Sequence, residues 1–553
     1  MRRKGTSLGC AAGAAVLALS ATLGAPAAAA TTSGATFTLP VKLIGAAGGE
    51  PSIATDQKGN VYVTGPQGIP SGVNGTPGVG VWVSHNDATS FGQATLKGSY
   101  LGGGDSDVVV DPHGTVYIAD LEAAASAVCK STDKGATFTS IGPVPDPTNC
   151  GGVVVGQTGP SDDRQWLTVG GTAHLYLTYH EFVSAQPLIF RSDNGGTDLF
   201  TAGPCGSIIT DPTIEANVPT DITGGTLVSK PVVDAAGNLY VMFTTTTQQE
   251  NAAAAAAGVS SGTFSQIYLA VSTDHCASFT DYTVFDGSKL GTNTVQFGDI
   301  FNALTIDGAG NLYAVGAGYV GTKTFATTAN VYLFSSTDHG KQWSGPRLVG
   351  QTDAAHMLPA AVGGAQAGQL AIGYFRTTNG KTNPNDTAAK WTYGTAESTN
   401  ATASTPTFRY ADIRPGFIYH SGEICNLGLL CGLVPGGPSD RSLLDFTSVT
   451  VDANGCPIFT FAGNPAGVAK GTNNFVSRQV TGCFPLLAAS TPPVTARPAT
   501  TPTPAASTAP ATAAAPPGSG ALAATGSSPW LPAAGLLLLG SALAVARRRK
   551  ARS

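Results

Sequence analysis

Between about residue 40 and residue 484, apolar and polar positions alternate in short runs, and two patterns carry the alternation. The first is a β-rich run, then Asp-x-x-Gly, then an aliphatic residue and usually Tyr. It reads IATDQKGNVYV (53–63), VVVDPHGTVYI (108–118), VVDAAGNLYV (232–241), LTIDGAGNLYA (304–314) and VTVDANGCPIF (449–459). LTVGGTAHLYL (167–177) and AAVGGAQAGQLAIGY (360–374) keep the rhythm without the Asp. Each predicts a hairpin: the Asp side chain bonds forward into the turn, Gly takes the left-handed position, and the alternating aliphatics suit half-buried strands. The second pattern fills eight residues, as STDKGATF (131–138) and STDHGKQW (336–343), with looser copies at 84–91, 192–199 and 272–279. The order of hairpin, further β-run, eight-residue turn and last strand recurs every 50 to 90 residues. Four strands per repeat at that period predict an all-β propeller. Counting hairpins gives seven blades, beginning near residues 51, 105, 164, 228, 301, 356 and 441, with six as the alternative if one weak copy is an insertion.

The eight-residue pattern, Ser-x-Asp-x-Gly-x-x-aromatic, resembles the Asp-box, or bacterial neuraminidase repeat, of sialidase-like propellers. Its five copies span residues 84 to 343. In the two clean copies Ser131, Asp133, Gly135 and Phe138, and Ser336, Asp338, Gly340 and Trp343, hold those places. These residues predict turn architecture, not chemistry: Asp bonds backbone N–H groups, Gly permits the reversal and the aromatic packs into the blade. A sialidase grips a carboxylate with three arginines and uses a Tyr nucleophile, Glu and an Asp acid/base. The family's first arginine lies in a Phe/Tyr-Arg-Ile-Pro motif near the first blade, whereas this chain has no arginine between Thr31 and Asp163. The catalytic residues of the family are therefore not carried over. A triad of Arg164, Arg376 and Arg441, with Tyr419 and Glu423 nearby, has no support from spacing.

Hairpin turns and Asp-box turns fall on one end of a propeller, so a site belongs at the other, where innermost strands converge on the channel. Stepping back six residues from each turn Asp selects Glu50, Asp105, Arg164, Val228, Phe301, Val362 and Phe446. Three are charged and four apolar, which puts a polar cluster on one side of the channel mouth. Glu50, Asp105 and Arg164 are the candidate catalytic residues; Asp107, Asp163, Trp166, Arg441 and Asp445 are candidates for the ligand face. Glu50 and Asp105 could act as the carboxylate pair of a glycosidase or lyase, with Arg164 as their alternative neutralising partner. The bland alternative is solvated charge with a structural Arg–Asp pair. DDRQW (162–166) and DRSLLDF (440–446) resemble recurring segments of secreted sialidase-like propellers, and imply no activity by themselves.

The ends read as addresses. Residues 1–30 carry Arg2-Arg3-Lys4, an apolar stretch from Leu8 to Leu23 and Ala28-Ala29-Ala30, the pattern of a secretory signal; a permanent anchor is the alternative. Residues 31–485 hold the propeller, and 486–520, rich in Pro, Ala and Thr, form a spacer able to cross a cell wall. In 521–553, Leu522-Ala523-Ala524-Thr525-Gly526 precedes an apolar run (531–546) and Arg547-Arg548-Arg549-Lys550. This order resembles the sorting signal of Gram-positive, actinobacterial sortase substrates. It implies cleavage between Thr525 and Gly526, with sortase and peptidoglycan as partners and a membrane contact only before sorting. Plain membrane tethering is the alternative.

Removing the three cations of the first segment and the five of the last leaves 21 against all 34 acids, a net of −13. That balance argues against nucleic acid and anionic membranes. Eight cysteines remain in an oxidising compartment. Proximity favours Cys129–Cys150, Cys425–Cys431 and Cys456–Cys483, leaving Cys205–Cys276. No spacing suggests a zinc site, and no cofactor or metal is expected. The expected role is a propeller displayed at the cell surface toward an extracellular glycan or protein ligand, with glycoside hydrolysis as the alternative.

Overall fold

The computed structural model describes residues 30–486 apart from 32–33, 46–47, 67–78, 97–104, 123–124, 142–161, 172–173, 182–185, 198–204, 219–225, 250–251, 253–263, 288–294, 298–300, 321–325, 426, 428–430, 434 and 466–470. Residues 1–29 of the expected secretory signal, residues 487–520 of the expected spacer, Thr525, Gly526 and Cys150 lie outside the described residues.

Seven sheets follow one another along the chain, antiparallel except where Ala30–Thr31 pairs parallel with Phe408–Asp412, and their innermost strands contact each other in a closed ring. Those strands are Ser52–Thr55, Ser106–Val110, Asp162–Gly170, Val232–Val233, Ala303–Ile306, His356–Gly363 and Ser448–Val451, here the first strands of blades 1 to 7. The chain is thus an all-β seven-blade propeller built on a four-strand plan, with one short helix, Pro212–Asn217, of six residues or more among the described residues. Three strands of blade 3 are described. Blade 7 is completed from the other end of the chain: Thr36–Phe37 and Val41–Lys42 pair antiparallel with Asn473–Thr481, so first and last segments close the ring together.

The period-2 alternation explains how blades stack. In blade 1, Val61 and Val63 point into a cluster with Ile458 and Val476 of blade 7, while Tyr62 between them points to Val108 and Val116 of blade 2. In blade 4, Leu239 and Val241 face blade 3, and Tyr240 faces blade 5. Each seam between neighbouring blades holds one such buried cluster, so the core is a ring of seven apolar seams.

Both turn types form as their residues dictate. Asp56 Oδ1 accepts from Lys58 and Asn60 N–H at 2.8 and 3.1 Å, and Asp111, Asp234, Asp307 and Asp452 repeat the arrangement. In the Asp-boxes, Ser131 Oγ accepts from Gly135 N–H at 2.9 Å and donates to Asp133, which accepts from Thr137 N–H. Ser336, Asp338, Gly340 and Gln342 do the same. Phe138 is buried, and Trp343 closes its turn by donating to Gly340 O. The fifth box position is left-handed throughout: Gly135 and Gly340 at φ +82°, Ala88 at +62° and Cys276 at +71°.

A further box escaped the sequence pattern. Ser398 Oγ donates to Asn400 Oδ1 at 3.0 Å, and Asn400 accepts from Thr407 N–H at 2.9 Å. Asn replaces Asp and three extra residues separate it from Phe408, which is buried. Disulfides join Cys425–Cys431 and Cys456–Cys483, two of the pairs favoured by proximity, and Cys205–Cys276, the pair left over. Cys129 is also disulfide-bonded.

Candidate functional site

The charged residues selected by register converge where blades 7, 1, 2 and 3 meet. Glu50 precedes the innermost strand of blade 1 with φ +41°, and Arg164 occupies a bulge in that of blade 3 with φ +44°. Left-handed backbone at residues other than glycine is costly and concentrates at functional positions. Leu444, one residue before Asp445, is left-handed as well, at +58°. For blade 6, Val362 is corrected to Leu358. The hairpin pairs Gly363 with Leu370, so Gly364 takes the place of the turn Asp, and Leu358 sits six residues back with φ +52°. The longer turn of that weak copy had displaced the register.

Glu50 is buried, and its carboxyl and that of Asp105 share a hydrogen bond. Glu50 Oε1 also accepts from Asp445 N–H at 3.2 Å and lies 3.8 Å from Arg441 Nη2. Arg441 grips the Asp445 carboxylate with its guanidinium fork, which holds Arg441 charged. Burial pushes Glu50 well above the usual carboxyl range, helped by the neighbouring charges of Asp105 and Asp445. Burial also raises Asp105, against the pull of Arg164. Asp163, half-buried, is pushed up to about 7 by desolvation and by the charges of Asp105 and Asp445. Burial and crowding thus raise the proton affinity of all three carboxyls above that of the same groups in water.

Arg164 is 2% exposed. Its guanidinium carbon lies 3.7 Å from the Trp166 ring centroid and 4.2 Å from that of Phe446, and Nη1 donates to Ser106 O at 3.1 Å. Its Nε and Nη2 make no hydrogen bond among the described residues. Trp166, Phe301 and Phe446, from blades 3, 5 and 7, meet with ring centroids 5.2 to 5.8 Å apart, so three aromatics floor the mouth. Trp166 is fixed by donating to Val228 O at 2.9 Å.

Asp107 is fully occupied as a structural tie. It is buried, and accepts from Ser52 Oγ (2.5 Å), Leu167 N–H (2.8 Å) and Lys230 Nζ (2.7 Å), joining blades 1, 2, 3 and 4. Sequence reading missed Lys230, whose one signal was a basic residue two positions after Val228 in an apolar register. Arg376 pairs with Asp412 in blade 6, Tyr419 is buried in the seam between blades 6 and 7, and Glu423 accepts from Ser439 and Asp440 N–H. None of these three joins the cluster. A cavity of about 200 Å³ lies elsewhere, on the turn end between blades 4 and 5, against Tyr240, Tyr282, His339 and Lys341. It holds no carboxyl–guanidinium cluster. Among the described residues no group of three or more His, Cys, Asp or Glu has the geometry to hold a metal, and no helix is long and apolar enough to cross a membrane.

No family model matches the chain, and no curated protein matches it. Among solved structures it is similar to a PL25 ulvan lyase bound to -[GlcA(1-4)Rha3S]-, at 12% identity over 79% of this chain and 95% of the other, with a TM-score of 0.47. It is also similar to the polysaccharide lyase Uly1 (11% identity, 81% and 93% covered, TM-score 0.44) and to an α-L-arabinanase of Penicillium chrysogenum complexed with arabinobiose (12%, 69% and 99%, 0.34). Likeness at this level does not reach function.

Proposed function

We propose that this chain is a sialidase-like propeller that is secreted, attached by sortase to the wall of a Gram-positive cell, and binds an extracellular glycan at its channel mouth. The observation that carries the reading is the mouth itself: two guanidiniums and four carboxyl groups above a floor of three aromatic rings. Convergent polar groups over aromatic surface are how a concave site fixes and orients a polyhydroxylated ligand. The signal at 1–30, the spacer at 486–520 and the LAATG segment supply the route to the wall.

Cleavage is a second reading, favoured by the raised proton affinity of buried Glu50. In two-carboxylate glycosidases the groups stand about 5 to 9.5 Å apart to flank the scissile bond. Glu50 and Asp105 are hydrogen-bonded to each other and so constitute one proton-holding unit. Such a unit can serve as a general acid; a nucleophile or base would come from elsewhere at the mouth, with Asp163 the nearest carboxyl of raised affinity for a proton.

The test uses residues 31–486, which include both segments that close the ring. This protein and its Glu50→Gln/Asp105→Asn variant are applied to a glycan array and to fluorogenic glycosides, sialosides included. Binding without turnover, weakened at least tenfold in the variant, is the expected result. Turnover abolished in the variant would establish the cleaving reading, and the absence of both binding and turnover would overturn the proposal.

A further inference from the structure

The chain leaves the fold through a built fixture. The last strand, Asn473–Thr481, runs from the mouth end to the turn end, and Cys483 just beyond it is bonded to Cys456 in the hairpin turn of the same blade. Phe484 is buried and donates its N–H to Gly455 O at 2.9 Å. Pro485 O accepts from Gln366 Nε2 at 2.7 Å and Gln369 Nε2 at 2.8 Å, both in the hairpin turn of blade 6. Arg409, paired with Glu397 of blade 6, donates to Gly482 O. Four consecutive positions, Gly482 to Pro485, are thus tied to two blades before the chain continues toward residue 486.

We infer that this turn end of blades 6 and 7 is a clamp that receives tension from the C-terminal tether and shields the strand that closes the ring. The inference rests on the wall-attachment reading for the source of the load. Without the bridge, a pull at Leu486 would reach the fold first through Asn473–Thr481. That strand pairs with the N-terminal strands on one side and Pro457–Gly463 on the other, so its loss opens the propeller. With Cys483 bonded to Cys456, the pull enters at both ends of the hairpin they enclose. The closing strand cannot leave unless its neighbour leaves too, and the two glutamines pass part of the load to blade 6. The same geometry places the tether on the end opposite Glu50, Asp105 and Arg164, so the mouth faces away from the attachment.

Single-molecule pulling tests the clamp. One handle is placed at the C-terminus, the other in the exposed turn at Asn379–Gly380 on the mouth end. The parent is expected to open without an early step. Cys456→Ser/Cys483→Ser should show an early step at lower force as Asn473–Thr481 peels away alone, freeing the nine residues of that strand, roughly 30 Å of chain at about 3.3 to 3.6 Å each. If that variant does not fold, thiol reduction of the held parent should produce the step. Its length separates it from the Cys205–Cys276 and Cys425–Cys431 loops, of 71 and 6 residues. Opening at the same force with no early step, in the variant or the reduced parent, would overturn the clamp. Release of the chain from intact cells without wall digestion would overturn attachment instead, and leave the clamp standing.

Discussion

Asp163 is the residue at the mouth whose titration falls within reach of ordinary buffers, being pushed up to about 7. A carboxyl whose folded affinity for a proton exceeds its unfolded one contributes stability below its ordinary range, near 4, and loses it as pH rises through about 7. The parent should therefore lose stability between pH 4 and 7, with Asp163 responsible for roughly 2 to 4 kcal/mol of the fall. Asp163→Asn should flatten that part of the profile and be the more stable protein at pH 8. Denaturant unfolding from pH 4.5 to 8.5 measures both, and parallel profiles would refute the assignment. The turn spacing made Glu50, Asp105 and Arg164 legible as neighbours, because a six-residue step along seven equivalent strands reaches one height of the channel. The raised proton affinities of these carboxyls were not legible, since they depend on carboxyl separation and burial rather than sequence distance. Lys230 was hidden for a related reason: it crosses from blade 4 to Asp107 of blade 2, a contact between strands that are not neighbours.

At the scale of the element, glycines that look alike in the repeat do different work. Gly340 has φ +82°, and a Cβ there would stand 2.2 Å from Leu269 Cδ2 in the seam with blade 4; Gly310 has φ +85° with nothing within 4 Å. Gly310→Ala should cost about 1 to 2 kcal/mol, the backbone strain alone. Gly340→Ala adds overpacking of a filled seam and should cost about 2 to 5 kcal/mol. Equal losses in thermal unfolding would mean that the Asp-box glycine serves the turn only. Looser copies still form because Ser, and Asn in place of Asp, supply the same oxygen acceptors, as Ser398 and Asn400 show in a turn lengthened beyond the sequence pattern. The disulfide Cys425–Cys431 belongs to another kind of element, the long mouth-end connection that delivers Arg441 and Asp445. Its loop spans six positions, and Cys425 N–H donates to Asp440 O beside Arg441. Cys425→Ser/Cys431→Ser should weaken glycan binding several-fold, while the ring of seams keeps its melting temperature to within a few degrees. A variant that binds as the parent does would detach this loop from the site.

Across the whole molecule the propeller depends on a closure between its two ends. Thr38 N–H donates to Arg478 O at 2.8 Å, Ser477 Oγ to Thr38 O at 2.8 Å, and Leu43 N–H to Asn474 O at 2.9 Å. Leu43 is buried in the seam between blades 7 and 1, and Trp82 of blade 1 donates to Ile44 O at 2.8 Å. Sequence repeats could not show this closure, because residues 36–42 lack the hairpin signature and pair with partners more than 430 positions away. A protein beginning at residue 45 would lose the buried Leu43, worth about 2 kcal/mol, and the hydrogen bonds of the outer strands, at about 1 kcal/mol each. It would also expose the edge of Asn473–Thr481 to pairing with other chains. The expected result is at least about 5 kcal/mol of lost stability, with a separate early transition for blades 6, 7 and 1 and a tendency to associate. A peptide of residues 34–45 added in trans should restore a single transition, as a strand returned to its empty edge. Removing residues 487–553 instead should leave unfolding unchanged, because the clamp ends at Leu486. Should the protein beginning at residue 45 melt as the full chain does, ring closure would have to reside in the innermost strands alone, and the N-terminal pairing would be ornament on an already closed ring.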